Sequence, residues 1–564
     1  MRTTNKSGIS AFIDECTRHG LKNVVCSPGS RNAPIIIALD QHPDIEAIVI
    51  HDERSAAFYA LGMALQLKEP VGVVCTSGSA MLNYYPAVAE AYYQAIPLVV
   101  MSADRPEEWI DQGDGQTINQ KGVYTKHIRA EVVISETIGV NDDLSEEVSS
   151  AFEAALVGWK GPIHFNLPLT EPLYDLEDIE WDRKSKIEHS SESISLATSQ
   201  KIELSKKWKD APKKLILCGQ LYRNPALRAK LLELSDDSSV AVLVENTSNL
   251  VGQRWVHCID RTLAGISVDE IEAFQPDLLI TLGDAIISKR IKSFLRDSNI
   301  KSHWRVGHAF PEMDTYRALT ESFQSEPSKF IDELLKLELD RNKSDFGSKW
   351  KQRDFVIQEN QKAFKEDLTY SDFAVFDTLL DYLPENCHLH MANSSVIRYC
   401  QLFDPVPSIR YFSNRGTSGI DGSTSTAAGV SIMSPDVCNV LITGDVSFFY
   451  DSNALWNNYL PSNFRIFMIN NEGGGIFRII DGPRKSDQLE KYFEAHHTNK
   501  AEHICKAHDV GYVNASSVED IESQLASFFE QSDRPKLMEI FTPRELNDKV
   551  LKSFFDAATK KIIQ

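Results

Sequence analysis

The sequence predicts an α/β protein built of three parallel-sheet domains. Three observations carry this reading. Short Val- and Ile-rich runs recur between longer amphipathic stretches, 564 residues are enough for several cores, and the alternation restarts twice along the chain. Apolar runs this short, spaced by helix-length segments, suit strands covered on both faces by crossover helices.

The first series runs through Asn23–Cys26, Ala47–Ile50, Val71–Cys75 and Leu98–Met101. It closes at Gly161-Pro-Ile-His-Phe-Asn-Leu-Pro168, giving a first domain over 1–180. From Tyr174 to Gln200 the composition turns acidic and Ser-rich, which predicts a linker. A second domain over 200–345 follows from Leu215–Cys218, Val240–Val244, Leu278–Leu282 and the segment around Trp304. The charged, helix-forming stretch Leu335–Lys365 bridges to a third domain over 366–564. Its strands lie near His388–Met391, Val440–Thr443, Ile466–Asn470 and Leu537–Phe541, with a helix over Asp451–Leu460.

Hydrophobic residues at 42% and charged residues at 25% match a globular chain and argue against disorder. Lys plus Arg is 59 against 80 Asp plus Glu, a formal charge of -21, which opposes a broad grip on nucleic acid or an anionic membrane. No apolar run approaches a spanning helix, and Met1-Arg-Thr-Thr-Asn-Lys6 leads into no signal-peptide core, so the cytoplasm is the expected location. The nine cysteines are scattered without a Cys-x-x-Cys pair, as expected of reduced, mostly buried thiols.

In the third domain, Cys438-Asn-Val-Leu-Ile-Thr-Gly-Asp445 ends a strand in Gly-Asp, and Phe464-Arg-Ile-Phe-Met-Ile-Asn-Asn471 ends another in Asn-Asn. Parallel strands open their carboxyl ends on one edge, where ligands of such sheets bind. A carboxylate, an amide oxygen and a backbone carbonyl form a hard oxygen set suited to Mg²⁺. Gly473-Gly-Gly475 follows at once and allows close backbone approach to phosphates. Either motif alone would be a turn. Together they predict a metal–diphosphate site. In the first domain, Ala47-Ile-Val-Ile50 leads through His51-Asp-Glu53 into a helix over Arg54–Leu67. By itself Glu53 would only complement the helix end.

The Gly-Asp and Asn-Asn pair resembles the signature of thiamine diphosphate enzymes, and the three-domain layout is similar to their pyrimidine-binding, central and diphosphate-binding domains. The resemblance implies thiamine diphosphate with Mg²⁺ or Mn²⁺ as cofactors. Asp445, Asn471 and the carbonyl of Gly473 would ligate the metal, and Ser447 and Gly474 would lie near the diphosphate. Glu53 would be the acid against the aminopyrimidine ring. Ile420 would be the wedge that bends the cofactor, with Ile476 and Phe477 beside it. A homodimer or a dimer of dimers is implied, with Glu53 and Asp445 meeting across chains.

Four further stretches are Cys26-Ser-Pro-Gly-Ser-Arg31, Ser102-Ala-Asp-Arg105, Asp114-Gly-Gln116 and Ser413-Asn-Arg-Gly-Thr-Ser-Gly-Ile-Asp-Gly422. Together they resemble the 2-succinyl-5-enolpyruvyl-6-hydroxy-3-cyclohexene-1-carboxylate synthase family. That family implies decarboxylation of 2-oxoglutarate and conjugate addition of the succinyl carbanion to isochorismate, in menaquinone biosynthesis. Both substrates are dianions, and arginine pairs with carboxylate bidentately. By the resemblance Ser30, Arg31, Arg105, Gln116 and Lys289 would hold isochorismate, with Arg290 an immediate rival of Lys289. Arg398 and Arg415 would hold the succinyl carboxylate.

Proton transfers would fall to bound water, Ser394 or the cofactor amine, and His496-His497 reads as a solvated pair. The alternatives are another thiamine diphosphate-dependent 2-oxoacid decarboxylase or carboligase, which needs no cations for a second dianion, and a nucleotide-binding α/β protein. The latter calls for a Gly-x-Gly-x-x-Gly turn that the chain does not display.

Overall fold

The computed structural model describes residues 2–136, 142–181, 185–189, 196–337, 339 and 344–560. In the amino-terminal part lie β1 (Arg2–Thr4), β2 (Asn23–Cys26), β3 (Glu46–Val49), β4 (Val71–Cys75), β5 (Leu98–Asp104), β6 (Ala130–Val133), β7 (Ile163–Pro168) and β8 (Leu176–Asp178). Six of them form an all-parallel sheet ordered β3-β2-β4-β5-β7-β6. Strands β4 and β5 are wholly buried, which is why they read as continuous apolar runs rather than alternating ones.

The central sheet holds β9 (Lys214–Cys218), β10 (Val240–Val244), β11 (Leu278–Leu282), β12 (Ser302–Val306) and β13 (Glu321–Phe323), in the order β10-β9-β11-β12-β13. The third contains β14 (His388–Met391), β15 (Arg410–Phe412), β16 (Asn439–Gly444), β17 (Phe464–Asn470), β18 (Gly511–Ala515) and β19 (Lys536–Phe541), ordered β15-β14-β16-β17-β19-β18. Every pairing in these two sheets is parallel as well.

Two expectations need correction. The segment expected as a linker, part of which lies outside the described residues, contains β8, which pairs antiparallel with β1, and the start of a helix, Thr198–Asp210. The helix expected over Asp451–Leu460 instead begins at Asp445, runs to Tyr450 and gives way to a 3₁₀ turn, Ser452–Leu455. Asp451 is where it breaks. Its buried carboxylate leaves the helix direction to accept from the Ser425 N–H and hydroxyl, at 2.8 Å each.

The first and third sheets share one apolar cluster, which includes Tyr59, Met63, Ala427 and Val430. At its centre the helix Glu53–Leu67 crosses the helix Ser423–Ile432 at backbone contact. A Cβ on Gly62 would stand 2.1 Å from the Thr426 carbonyl oxygen, and one on Gly429 would stand 2.2 Å from that of Tyr59. Gly429→Ala is therefore expected to destabilise the chain by about 1–3 kcal/mol through overpacking. Urea unfolding measures this, and an unchanged midpoint would mean that the two helices separate without cost.

Candidate active site

Four adjacent strands of the third sheet, β15, β14, β16 and β17, end on one edge, and each delivers a predicted site segment there. Strand β16 ends at Gly444, and Asp445 opens the next helix at 2% exposure. Strand β17 ends at Asn470, followed by Asn471, also buried. The 25 residues between Asp445 and Asn471 hold the rest of a helix, a 3₁₀ turn and β17, which returns in parallel register with β16.

The side chains there leave an oxygen acceptor unused. The Asn471 amide nitrogen donates to Asp372 Oδ2 at 3.2 Å, and its Oδ1 is buried without a hydrogen-bond partner. Asp372 is itself wholly buried. Burial pushes its carboxyl up to about 6, against the hydrogen bonds from Thr542 and Asn471 that pull it down. Asp445 Oδ2 accepts from the Gly473 N–H at 2.9 Å. Gly473 has φ +148°, and a Cβ there would lie 2.5 Å from the Glu494 carbonyl oxygen, so only glycine fits. No group of three or more His, Cys, Asp or Glu side chains suited to a metal occurs among the described residues. A carboxylate and an uncommitted amide oxygen on one strand edge are hard oxygen donors, the kind that suits a cation keeping water and phosphate ligands.

His497 does not behave as a solvated residue. The Gly474 N–H donates to the Glu494 carbonyl at 2.7 Å, folding the following segment back over the glycines and bringing His497 Nε2 to 3.4 Å from Asp445 Oδ2. The Asp445 carboxylate raises the imidazole pKa above its ordinary value, against its partial burial. Only His496 keeps the expected exposure, 3.1 Å from Glu472.

Strands β14 and β15 supply a cationic cradle. The helix after β14, Ser395–Cys400, carries Arg398, whose guanidinium donates to the Ser394 carbonyl. Ser394 sits at φ +72°, unusual for a residue with a side chain. After β15, Arg415 donates to Asn393 Oδ1 at 2.7 Å, while the Asn393 amide holds the Asn414 and Gly419 carbonyls at 2.7 Å each. Residues 393–398 and 414–419 are thus one hydrogen-bonded unit. Burial lowers the pKa of both guanidiniums, the direction expected of cations that have lost water without gaining a full anionic partner. Ile420 joins this network through its carbonyl, which accepts from the Ser447 hydroxyl at 2.7 Å.

The first sheet repeats the arrangement. Glu53 opens its helix after β3, with Asp52 as the cap accepting from the Ser55 N–H at 3.2 Å. The segment just after Asp445 grips this helix: Asn453 donates to Asp52 at 2.6 Å, Tyr59 to the Ala454 carbonyl at 2.6 Å, and Arg54 to the Tyr450 carbonyl at 2.6 Å. Desolvation raises the Glu53 carboxyl above its ordinary value, with a smaller push from Asp52. After β2 comes exposed Ser30 and buried Arg31, which donates to the Leu169 carbonyl at 2.9 Å and pairs with Glu171 at 3.1 Å. Arg105, after β5, pairs with Asp114 at 3.0 Å. Burial lowers the Arg31 pKa, and neighbouring Arg105 lowers it further. Gln116 is exposed on the loop that packs over Gly78.

Two known family models match stretches of the amino-terminal and central parts of the chain. Residues 6–123 match the thiamine pyrophosphate enzyme N-terminal TPP binding domain, and residues 177–391 match the middle domain of thiamine pyrophosphate enzymes. A 2-succinyl-5-enolpyruvyl-6-hydroxy-3-cyclohexene-1-carboxylate synthase of Flavobacterium johnsoniae is 42% identical over 97% of this chain and 98% of the relative. Synthases of the same name from Christiangramia forsetii and Bacteroides thetaiotaomicron are 44% and 35% identical, over 96% and 99% of the chain and 97% and 100% of their own lengths. The chain belongs to the 2-succinyl-5-enolpyruvyl-6-hydroxy-3-cyclohexene-1-carboxylate synthase family.

As a member of that family the chain is a thiamine diphosphate-dependent enzyme. Its central sheet also contributes to the cationic cradle, and here the structure adds a residue. Lys289 and Arg290 are exposed at the start of the helix Lys289–Arg296, and the Arg290 guanidinium lies 4.5 Å from the centre of the Phe555 ring. One turn on, Lys292 is half-buried and lines a cavity of about 250 Å³ together with Arg415 and Tyr316. Burial lowers its pKa, opposed by Glu245. Helical spacing from Lys289 is the signal that points to Lys292. The partners Asp372 and Glu171 carry no such local signal.

Proposed function

We propose that this synthase-family enzyme decarboxylates 2-oxoglutarate and joins the succinyl unit to isochorismate, giving 2-succinyl-5-enolpyruvyl-6-hydroxy-3-cyclohexene-1-carboxylate and CO₂ in menaquinone biosynthesis. The observation that carries the proposal is the unit formed by Asn393, Ser394, Arg398 and Arg415 on the edge that also bears Asp445 and Asn471. An anion cradle beside a metal-type oxygen set is what a dianionic 2-oxoacid requires.

Thiamine diphosphate, when bound, supplies the carbon nucleophile and the electron sink for decarboxylation. Mg²⁺ or Mn²⁺ would be held by Asp445, Asn471 Oδ1 and the Gly473 carbonyl, with Ser447, Gly474, Ile420, Ile476 and Phe477 around the cofactor. The uncommitted Asn471 oxygen supports that set. Glu53 would offer its carboxyl proton to the aminopyrimidine ring, and the upward shift of its pKa favours the form able to donate. Arg398 and Arg415 would orient the distal carboxylate of 2-oxoglutarate, and the Ser394 hydroxyl would hold or pass a proton at the reacting carbon. Ser30, Arg31, Arg105, Gln116 and Lys289 would hold isochorismate. Two of these arginines, Arg31 and Arg105, pair with the Glu171 and Asp114 carboxylates.

The domain limits 1–180, 200–345 and 366–564, cytoplasmic location and a homodimer or dimer of dimers complete the proposal. Exposed Tyr450, Trp456 and Tyr459 beside the Glu53 helix support a partner chain there. Incubation with thiamine diphosphate, Mg²⁺, 2-oxoglutarate and isochorismate, each omitted in turn, tests the reaction by loss of isochorismate. Turnover of pyruvate with no need for isochorismate would overturn it in favour of another carboligase. Arg415→Ala should raise the KM for 2-oxoglutarate roughly 10- to 100-fold, the range of a charge-assisted hydrogen bond of about 1.5–3 kcal/mol, and that for isochorismate less. The reverse order would mean that the two carboxylate sites are exchanged.

A further inference from the structure

A deeply buried acid beneath the cations belongs to the central sheet. Glu245 follows β10 at 1% exposure, and its two carboxylate oxygens accept from the Ile287 N–H at 2.7 Å and the Ser288 N–H at 2.8 Å. Ser288 is the cap of the helix Lys289–Arg296: its Oγ accepts from the Ile291 N–H at 3.0 Å and donates to a second, half-buried acid, Asp260. The first residues of that helix are thus fixed from two sides, Glu245 holding the backbone and Asp260 the cap hydroxyl.

The next residue, Asn246, reaches in the other direction. Its amide donates to the Cys400 carbonyl at 2.8 Å and its N–H to Gln401 Oε1 at 3.3 Å, at the end of the helix that carries Arg398. Two consecutive residues after β10 therefore tie the lysine-bearing helix of the central sheet to the arginine-bearing helix of the third. The charges facing Glu245 are Asp260, Lys292, Arg415 and the Tyr316 hydroxyl. A buried carboxylate is costly to keep, and hydrophobic replacement of buried charge is often neutral or stabilising, so packing alone does not account for an acid here.

We infer that Glu245 is a positioning residue for substrate recognition: through the Ile287 and Ser288 N–H groups it sets where the Lys289–Arg296 helix presents its lysines relative to Arg398 and Arg415. The inference rests on the proposed role of these cations in holding dianionic substrate. It differs from that role because Glu245 touches no substrate and acts through the backbone of another segment. Glutamine in its place could accept from one of the two N–H groups but would turn its NH₂ toward the other. The helix start would move while the side-chain volume stays the same. Displacements of about 1 Å in a positioned group can cost 10²-fold.

The test compares Glu245→Gln and Glu245→Asp with Lys289→Met and Lys292→Met in the full-length holoenzyme, reading kcat, both KM values, thiamine diphosphate affinity and thermal melting. Glu245→Gln should raise the KM for isochorismate about 10-fold or more. It should change kcat and cofactor affinity less than about threefold, and Glu245→Asp should recover part of the loss. A lowered KM in Glu245→Gln would overturn the inference, since the carboxylate would then be tuning charge rather than position. Unchanged KM in Glu245→Gln, with a raised KM in either lysine variant, would overturn it while leaving the cation reading intact. Unchanged KM in both lysine variants would overturn the lysine part of that reading and the inference with it. Failure of both Glu245 variants to fold would make the residue a scaffold element and also overturn the inference.

Discussion

Glu53→Gln should lower turnover roughly 10²- to 10⁴-fold, the range lost when a positioned acid–base group is removed, with Mg²⁺-dependent cofactor affinity nearly unchanged. The substitution keeps size and hydrogen-bonding reach but removes the proton that a carboxyl can give and retake. The helix that carries Glu53 is anchored by its Asp52 cap and by the 450–457 segment, none of which depends on the Glu53 carboxyl. Steady-state turnover and calorimetric titration of thiamine diphosphate separate the two quantities. Near-normal turnover would remove Glu53 from the reaction, and a parallel loss of cofactor binding would make it a binding residue instead.

Asp445→Ala should cost metal-dependent binding of thiamine diphosphate at least about 100-fold, beyond the 10- to 100-fold typical of losing a partner of a metal ligand. Of the described side chains at this strand edge, Asp445 is the carboxylate presented with the uncommitted Asn471 oxygen, and it also accepts the Gly473 N–H that shapes the glycine loop. Mn²⁺ binding followed by electron paramagnetic resonance reads the loss without reference to activity. Asp445→Asn should retain the loop, because an amide oxygen can still accept from Gly473, yet bind Mn²⁺ weakly. Wild-type Mn²⁺ affinity in Asp445→Ala would sink the assignment of the metal site.

Much of this was legible in the chain because the signals are local. Buried parallel strands appear as unbroken Val- and Ile-rich runs, so the inner strands of all three sheets were readable. The short edge strands β6, β13 and β15 were not, nor was β18, whose residues are mostly only half-buried. Asp445 and Asn471 were readable because each stands immediately after its strand. Asp451 ends a helix instead of starting one, because its carboxylate is held by Ser425, which belongs to a separate element. The position of His497 is non-local in the same way: its approach to Asp445 depends on how the glycine loop folds back.

The sequence by itself determined the α/β class, the three series of strands, and the segments after strand ends that bear Glu53, Arg31, Arg105, Arg398, Arg415, Asp445 and Asn471. Strand periodicity and residues flanking strand ends are properties of contiguous chain. Only the tertiary structure decided which atoms of those residues are already committed and which are not. It decided that Asp372 takes the Asn471 amide and leaves its oxygen free, that Glu245 and Asn246 bind two helices from different sheets, and that Lys292 shares a cavity with Arg415. Those pairings join residues about 40 to 155 positions apart. They follow from how the sheets pack, which local propensity does not encode.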